Sequence, residues 1–258
     1  MTLILIPEDL NKFISKYELN IYSYLNDNQS DEIDQLKNNI YLEIESEYNL
    51  IDKTDNLNLS KKIYIQEFIS NQFLNLINHY KELIKYKDNI LSILTNLKKL
   101  KLPEQRSPEW YNIRDKILTA SSLADAIGEG HFSTREELLI QKCGGPRGKI
   151  PFSIVEWGVM YEPVATKFYE IMNNLKIVEF GLVPHPTFKI FGASPDGICD
   201  IDSPKEYIGR MLEIKCPPKR KFTKEVPKHY WMQMQGQLEV CDLDECDFFQ
   251  VKLEEYES

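Results

Sequence analysis

Residues 192–197 have the sequence GASPDG and residues 212–215 have the sequence LEIK, and these two stretches decide the fold of the second half of the chain. The Gly, Ser and Pro of the first stretch predict a turn between two short apolar strands, with Asp196 at the turn. The second stretch is typical of a strand. Because side chains alternate along a strand, Glu213 and Lys215 leave the same face, and Ile214 points to the opposite face and into the core.

A carboxylate and an ammonium on one strand face, beside a second carboxylate, carry a desolvation cost unless the charges serve a purpose. A hard cation would account for them, because Mg²⁺ prefers oxygen ligands and retains waters, and the Ile214 carbonyl is a further candidate ligand. Such a metal stabilises charge on a phosphodiester and lowers the pKa of an attacking water, and Lys215 would orient or deprotonate that water or stabilise the charge. The alternative is a surface Glu–Lys pair beside an Asp in a turn.

The surrounding region, from Leu102 onward, alternates short apolar runs with helical patterns and contains Gly and Pro, which predicts an α/β domain. A helix is predicted to start at Ser107 and Pro108, and another from a capping box at residues 133–136. Strands are predicted at residues 177–183, 188–193, 198–201, 207–215 and 246–253, and further helices at residues 157–172, with a kink or start near Pro163, and 228–240. The chain stops soon after the last predicted strand, which suggests a part of a longer protein.

The first half has a different character. Residues 1–100 hold one Pro, Pro7, and no Gly, and apolar residues recur at helical spacing from Ile65 to Leu97. This pattern predicts several helices packed as a small bundle, with a polar linker at residues 46–60. The predicted organisation is therefore a helical accessory domain at 1–100 and an α/β domain at 101–258.

Composition narrows the class of protein. With 258 residues, 42% of them hydrophobic, the chain suits one medium domain or a small domain beside a larger one. The net charge of −9 argues against a protein that coats nucleic acid through phosphate contacts alone. Five cysteines without CxxC spacing favour reduced thiols over a zinc site. No secretory signal or stretch of ~20 apolar residues is present, so we expect a soluble, intracellular protein.

Five blocks of sequence carry a resemblance to a known family. They are Trp110-x-x-x-Arg114 with residues 118–121 (LTAS), Trp157-Gly158 leading to Tyr161-Glu162, residues 193–197, residues 212–217, and Tyr230-x-x-Gln233-x-Gln235. With these blocks in this order over residues 110–253, the chain resembles the phage lambda-type exonucleases, the viral recombinase (YqaJ-like) branch of the PD-(D/E)XK nucleases. The resemblance implies a restriction-endonuclease-like core, with a central mixed β-sheet flanked by helices, and makes 101–258 the nuclease domain.

The resemblance also implies roles for residues in an active site. Asp196 and Glu213 correspond to direct metal ligands and Lys215 to the catalytic lysine. Glu162 corresponds to a helix carboxylate that supports the metal, and Gln233 to a glutamine from a later helix. The implied catalytic set is Glu162, Asp196, Glu213, Lys215 and Gln233, and the implied ligands of a Mg²⁺ site, in which Mn²⁺ substitutes, are Asp196, Glu213, Ile214 and Glu162.

A pocket for a 5′-phosphate is implied by three other residues, Arg114, Ser121 and Ser194. The role is reasonable because Arg binds phosphate through paired hydrogen bonds. The ordinary alternatives are a solvated helix residue for Arg114 and an N-cap for Ser121, and likewise a polar helix face for Gln233 and a surface carboxylate for Glu162.

A basic run follows the proposed catalytic lysine. Lys219, Arg220 and Lys221, with Lys224 and Lys228 further on, lie close to it in sequence. One hypothesis is that the run binds the DNA backbone, and the alternative is a solvated loop.

The activity implied by the resemblance is a 5′→3′ exonuclease on double-stranded DNA, in viral recombination, repair or genome processing. Implied partners are duplex DNA with a 5′-phosphate end, other copies of the chain in a homo-oligomer such as a trimer, and a single-strand annealing protein. No association with a membrane is expected. The expected location is the cytoplasm or viral factory of a cell infected by a large DNA virus. The helical first half and the short interval from Lys215 to Gln233 depart from the family pattern and leave the trimer open. A structure-specific endonuclease and a non-catalytic DNA-binding module are the alternatives.

Overall fold

The computed structural model describes residues 7–27, 29–51, 59–146, 152–218, 222 and 224–254. Their contacts divide the chain into two compact units, Met1–Asp88 and Asn89–Ser258. This division lies before the predicted boundary at residue 100, because the end of the last helix of the first half packs in the core of the second unit. The functional division into an accessory and a nuclease domain stays a prediction.

The first unit is helical, as its apolar spacing predicts. Its elements are α1 (Pro7–Ser15), α2 (Glu18–Asn26), α3 (Ser30–Ile51) and the part of α4 (Leu59–Lys99) that precedes Asn89. The buried core consists of aliphatic side chains from all four helices together with Phe73. The predicted linker at 46–60 is wrong at both ends, since residues 46–51 and 59–60 are helical and 52–58 lie outside the described residues. A polar stretch without Pro or Gly is no barrier to a helix.

The second unit has the predicted α/β composition. After the end of α4 come α5 (Pro108–Lys116), β1 (Leu118–Thr119), a 3₁₀ turn (Ala120–Ser122), α6 (Leu123–Ala126), α7 (Arg135–Lys142), α8 (Phe152–Asn173), β2 (Ile177–Val178), β3 (Val183–Pro184), β4 (Phe191–Ala193), β5 (Gly197–Cys199), β6 (Met211–Lys215), α9 (Lys228–Cys241) and β7 (Cys246–Gln250).

The strands form two mixed sheets. One has the order β1-β4-β3, in which β1 is parallel and β3 antiparallel to β4. The other has the order β2-β5-β6-β7, in which β6 is antiparallel to β5 and parallel to β7. The mixed α/β class is confirmed, with its strands divided between two sheets and shorter than predicted. The predicted strand 177–183 contributes β2 to one sheet and the start of β3 to the other.

Local signals for the helices place their starts well. The Ser107 hydroxyl accepts a hydrogen bond from the Trp110 amide at 3.2 Å, and Pro108 occupies the first turn. The capping box before α7 is formed by Thr134 and Glu137, one residue later than predicted. Helix α8 runs through Pro163, so of the two predicted alternatives the helix start near that residue is wrong, and the kink stays a prediction.

Close packing places α9 over the first sheet. A Cβ atom on Gly236 would lie 3.2 Å from Ala120, Leu123 and Phe191, so only a residue without a side chain allows this approach comfortably. Helix α8 packs on β6 from the other sheet. The two helices therefore pack on different sheets, α9 on the first and α8 on the second. The five cysteines are free, and no helix in the described ranges has the length and apolar character needed to span a membrane.

Candidate active site

Asp196 lies in the turn between β4 and β5, where the sequence predicts it. Its Oδ2 atom accepts a hydrogen bond from the backbone amide of Ile214 at 2.7 Å. The turn is thereby attached to β6 at Ile214, which Glu213 and Lys215 flank along the strand. The strand alternation is also as predicted, because Ile214 is buried in an apolar cluster beneath the second sheet.

Glu213 is the most enclosed charged residue of the site. Its side chain has no exposed surface, and its carboxylate accepts hydrogen bonds from two glutamines and from the ammonium of Lys215. The Gln233 Nε2 atom lies 2.7 Å from Oε1, and the Gln237 Nε2 atom lies 2.8 Å from Oε2. Both oxygens of a buried carboxylate are therefore held by donors, as its burial requires.

Gln237 is a site residue that the sequence motif does not reveal. The motif contains Gln233 and Gln235, but Gln235 is exposed while Gln237 is buried. Residues four apart lie on one face of a helix, so the spacing from Gln233 was the available signal. The Oε1 atom of Gln237 has no hydrogen-bond partner among the residues that the structure describes.

The electrostatics of the site are dominated by three neighbouring carboxylates, of which Glu213 is fully buried. Burial, followed by the negative charges of Glu213 and Glu162, raises the pKa of Asp196 well above its usual value, against the opposing effect of Lys215. Burial alone would lower the pKa of Lys215, but the charges of Glu213 and Asp196 outweigh it and raise that pKa. The ammonium also lies 5.0 Å from the centre of the Tyr230 ring. The cluster thus holds an excess of negative charge that a cation would relieve.

Glu162 reaches the site from α8. Its two oxygens each accept a hydrogen bond of 2.7 Å from Nη2 of Arg106, and its charge influences Asp196. It is therefore more than a solvated surface carboxylate. Arg106 was missed in the sequence, since it precedes the first family block and its partner lies 56 residues away.

The donor set suits a hard divalent cation. The carboxylates of Asp196, Glu213 and Glu162 supply oxygen atoms of the kind that Mg²⁺ and Mn²⁺ prefer. In the parts of the chain that the structure describes, no three Asp, Glu, His or Cys side chains already form a ligand group. Mg²⁺ normally retains several water ligands, so a few carboxylates are enough to hold it.

The residues of the predicted phosphate pocket are linked to one another. The Arg114 Nη2 atom lies 2.6 Å from Oγ of Ser121, and its guanidinium stacks over Trp110 at 4.8 Å from the ring centre. The Trp110 Nε1 atom donates to Oγ of Ser194 at 3.0 Å. Arg114 and Ser121 thus lie in direct contact, and Ser194 joins them through the tryptophan. Ser194 is two residues from Asp196 in sequence, so the group is attached to the segment that carries this carboxylate.

Lys219, Arg220 and Lys221 lie outside the described residues, so the basic run stays a prediction from sequence. Two later lysines of the run are described. Lys224 is exposed, and Lys228 forms an exposed ion pair with Glu129 at 2.9 Å.

Comparisons with known proteins agree with one another. The model of the YqaJ-like viral recombinase domain matches residues 109–244. The uncharacterized protein R354 of Acanthamoeba polyphaga mimivirus is 36% identical over 173 residues, which are 63% of this chain and 32% of that protein. The chain therefore spans about a third of the length of this relative.

Two solved structures are also similar. One is an alkaline exonuclease, LHK-Exo, from Laribacter hongkongensis, with 28% identity, a TM-score of 0.45 and coverage of 57% of this chain and 74% of the other. The second is LHK-Exo in complex with dAMP, with 31% identity, a TM-score of 0.43 and coverage of 56% and 73%.

Proposed function

The chain belongs to the family of YqaJ-like viral recombinase domains, and from that membership we propose that it is a metal-dependent DNA nuclease, a 5′→3′ exonuclease on double-stranded DNA. The observation that carries the proposal is the convergence of Asp196, Glu213, Lys215 and Gln233 in one cluster. Asp196 is bonded to the strand that bears Glu213, and Glu213 is bonded to Lys215 and Gln233. A carboxylate pair that can hold a metal ion, with an adjacent ammonium, suits hydrolysis of a phosphodiester.

Each residue of the cluster has a distinct part in the proposal. Asp196, Glu213 and the Ile214 carbonyl would hold a Mg²⁺ or Mn²⁺ ion, with Glu162 in support. The ion supplies Lewis-acid stabilisation of the phosphate charge and a more acidic bound water. Lys215 orients the attacking water and stabilises the negative charge that develops on the phosphate. Gln233 holds the Glu213 carboxylate in place from α9.

The choice of an exonuclease over an endonuclease rests on the contact of Arg114 with Ser121. A guanidinium and a hydroxyl 2.6 Å apart, with Ser194 joined through Trp110, present several hydrogen-bonding groups at one place. Such an arrangement suits a terminal phosphate, which has more acceptor oxygens than an internal one.

Other parts of the proposal concern partners. Duplex DNA with a 5′-phosphate is the substrate, and the basic run at Lys219, Arg220 and Lys221 binds its backbone. In viral recombination the protein acts as a homo-oligomer such as a trimer, and its partner is a single-strand annealing protein. The helical first unit is proposed to be an accessory domain, and the mimivirus relative supports a viral setting.

The test is digestion of a linear duplex with a 5′-phosphate at one end only, with Mg²⁺ or Mn²⁺, beside a closed circular duplex. Loss of label from the phosphorylated end with the circle intact supports the exonuclease. Cleavage of the circle would replace it by the structure-specific endonuclease. The Lys215→Ala variant serves as the control for contaminating nucleases.

No cleavage with either metal would leave the non-catalytic DNA-binding module. A titration with Mn²⁺ identifies that case. A protein without a working metal site should bind Mn²⁺ no better than its Asp196→Asn variant does.

A further inference from the structure

A tight turn ahead of α5 has an unusual residue at its third position. The Ser107 amide donates to the Glu104 carbonyl at 3.1 Å, and Arg106 has a φ of 66°. A positive φ at this position, closed by this hydrogen bond, is typical of a type II turn, in which the residue is usually Gly. An arginine here is strained relative to glycine. A residue retained at such a position is expected to have a role for its side chain.

The guanidinium of Arg106 is directed to a carboxylate of the proposed site. Its Nη2 atom lies 2.7 Å from both oxygens of Glu162. The two side chains are 35% and 25% exposed, so the pair is shielded on most sides. Asp196, Glu213 and Glu162 bring three negative charges to this region, and Lys215 with Arg106 brings two positive ones. Among the described residues, Arg106 and Lys215 are therefore the cations in direct contact with these carboxylates.

The neighbouring residue of the turn is directed to the other carboxylate-bearing segment. The Gln105 Nε2 atom donates to the Pro195 carbonyl at 3.1 Å and to the Phe180 carbonyl at 2.8 Å. Pro195 directly precedes Asp196. Two consecutive side chains thus reach Glu162 on α8 and the Asp196 turn between two strands, which are otherwise separate elements.

The segment that precedes the turn packs closely on Gly181. A Cβ atom on Gly181 would lie 2.0 Å from the Pro103 carbonyl oxygen, so the segment before the turn packs directly on this glycine. After the turn, Trp110 donates to Ser194. The segment from Pro103 to Trp110 is therefore attached on both sides of Arg106, which explains how the positive φ is maintained.

We propose that Gln105 and Arg106 are positioning residues of the active site, which orient the Asp196 turn and the Glu162 carboxylate relative to each other. The inference rests on the proposed nuclease function. Arg106 acts through Glu162 and Gln105 through the backbone before Asp196, and neither needs to contact DNA. The strained backbone is retained because glycine, which the turn favours, would leave Glu162 without its donor.

The test uses Arg106→Gly, which the backbone should accept, with Arg106→Lys as the conservative variant. Partners of metal-ligating carboxylates commonly change affinity or activity by ~10- to 100-fold. We therefore expect Arg106→Gly to lower kcat and Mn²⁺ affinity by about that factor. KM for duplex DNA should stay within about twofold of the value for the unsubstituted protein. Tm without metal should change by no more than about 3 °C, because the variant loses backbone strain as well as an ion pair. Arg106→Lys should restore part of both losses.

A kcat equal to that of the unsubstituted protein in Arg106→Gly overturns the inference, and so does tighter Mn²⁺ binding, which would make Arg106 only a competing charge. Gln105→Leu gives a second measurement, with a loss of kcat expected at unchanged KM. The Mn²⁺ affinities of the unsubstituted protein and of Arg106→Gly can be compared even if the unsubstituted protein cuts no DNA. Failure of the nuclease proposal and failure of this inference are therefore separate results.

Discussion

The Gln237 Nε2 atom donates a hydrogen bond of 2.8 Å to Oε2 of Glu213, a carboxylate that has no exposed surface. Gln233 donates to the other oxygen of the same carboxylate from one helical turn earlier. Helix α9 therefore holds the proposed ligand at both oxygens. Gln233 belongs to the family motif, whereas Gln237 was identified only by its position on the helix.

Substitution of Gln237 should impair both stability and activity. In Gln237→Leu the buried carboxylate loses one donor, and an unsatisfied buried group of this kind costs about 1–3 kcal/mol. Activity should fall by ~10-fold or more, since Glu213 is no longer held at both oxygens. Thermal unfolding and single-turnover digestion measure the two effects. Gln235→Leu is the matched control, because Gln235 is exposed on the same helix, and an equal loss in both variants would contradict the prediction.

Lys215→Ala should separate binding from cleavage. The ammonium contacts Glu213 and has no metal-ligand role, so DNA binding and Mn²⁺ binding should remain. Cleavage should fall by ~100-fold or more, because removal of one group that stabilises transition-state charge has effects of this size. Fluorescence anisotropy with labelled duplex and a digestion assay measure the two properties. Turnover near that of the unsubstituted protein would rule out the assignment of Lys215.

The preference for a phosphorylated end should depend on Arg114 and Ser121. In Arg114→Ala, duplexes with 5′-phosphate and 5′-hydroxyl ends should be digested at similar rates, because the guanidinium in contact with Ser121 is lost. Ser121→Ala should reduce the preference to a lesser degree. Lys116→Ala, an exposed lysine on the same helix, is the control. A preserved preference in Arg114→Ala would place the phosphate site elsewhere.

The raised pKa of Asp196 predicts a pH-dependent effect on stability. Burial and the neighbouring carboxylates disfavour its ionised form in the folded state, so the folded pKa lies above the unfolded value. The folded state then loses stability as pH rises from about 3.9 through the raised pKa. Asp196→Asn removes this penalty and should raise Tm of the metal-free protein at pH 8, with a smaller gain near pH 4, while abolishing cleavage.

Thermal unfolding at the two pH values checks this effect. Asp202→Asn, at an exposed position, should change Tm little at either pH. Mn²⁺ should stabilise the unsubstituted protein more than Asp196→Asn, since a ligand stabilises the state that binds it. A lower Tm of Asp196→Asn at pH 8 would contradict the electrostatic argument.

The basic run should determine the salt dependence of DNA binding. Each phosphate neutralised on duplex DNA contributes about 0.9 to the slope of log K against log salt concentration. Replacement of Lys219, Arg220 and Lys221 by Ala should therefore flatten that slope by up to ~2.7. Anisotropy titrations across a series of salt concentrations measure it. An unchanged slope would identify the run as a solvated loop.

Much of the local structure was accessible from the residues alone. The alternation of Glu213, Ile214 and Lys215 identified which side chains share a face, and Ser107 with Pro108 identified the start of α5. These signals work because they depend on neighbours within one helical turn or one strand. The division of residues 177–183 between two sheets was not accessible, since a strand's partner depends on hydrogen bonds to distant segments.

The sequence by itself determined the family and indicated the candidate site residues, because the motif residues carry their functional groups wherever the chain folds. Only the tertiary structure decided that Gln237 holds Glu213 and that Arg106 holds Glu162. Those contacts join residues 24 and 56 positions apart, and they follow from how α9 and α8 approach the strands. Helix packing and burial are properties of the whole domain, so no local pattern of residues specifies them.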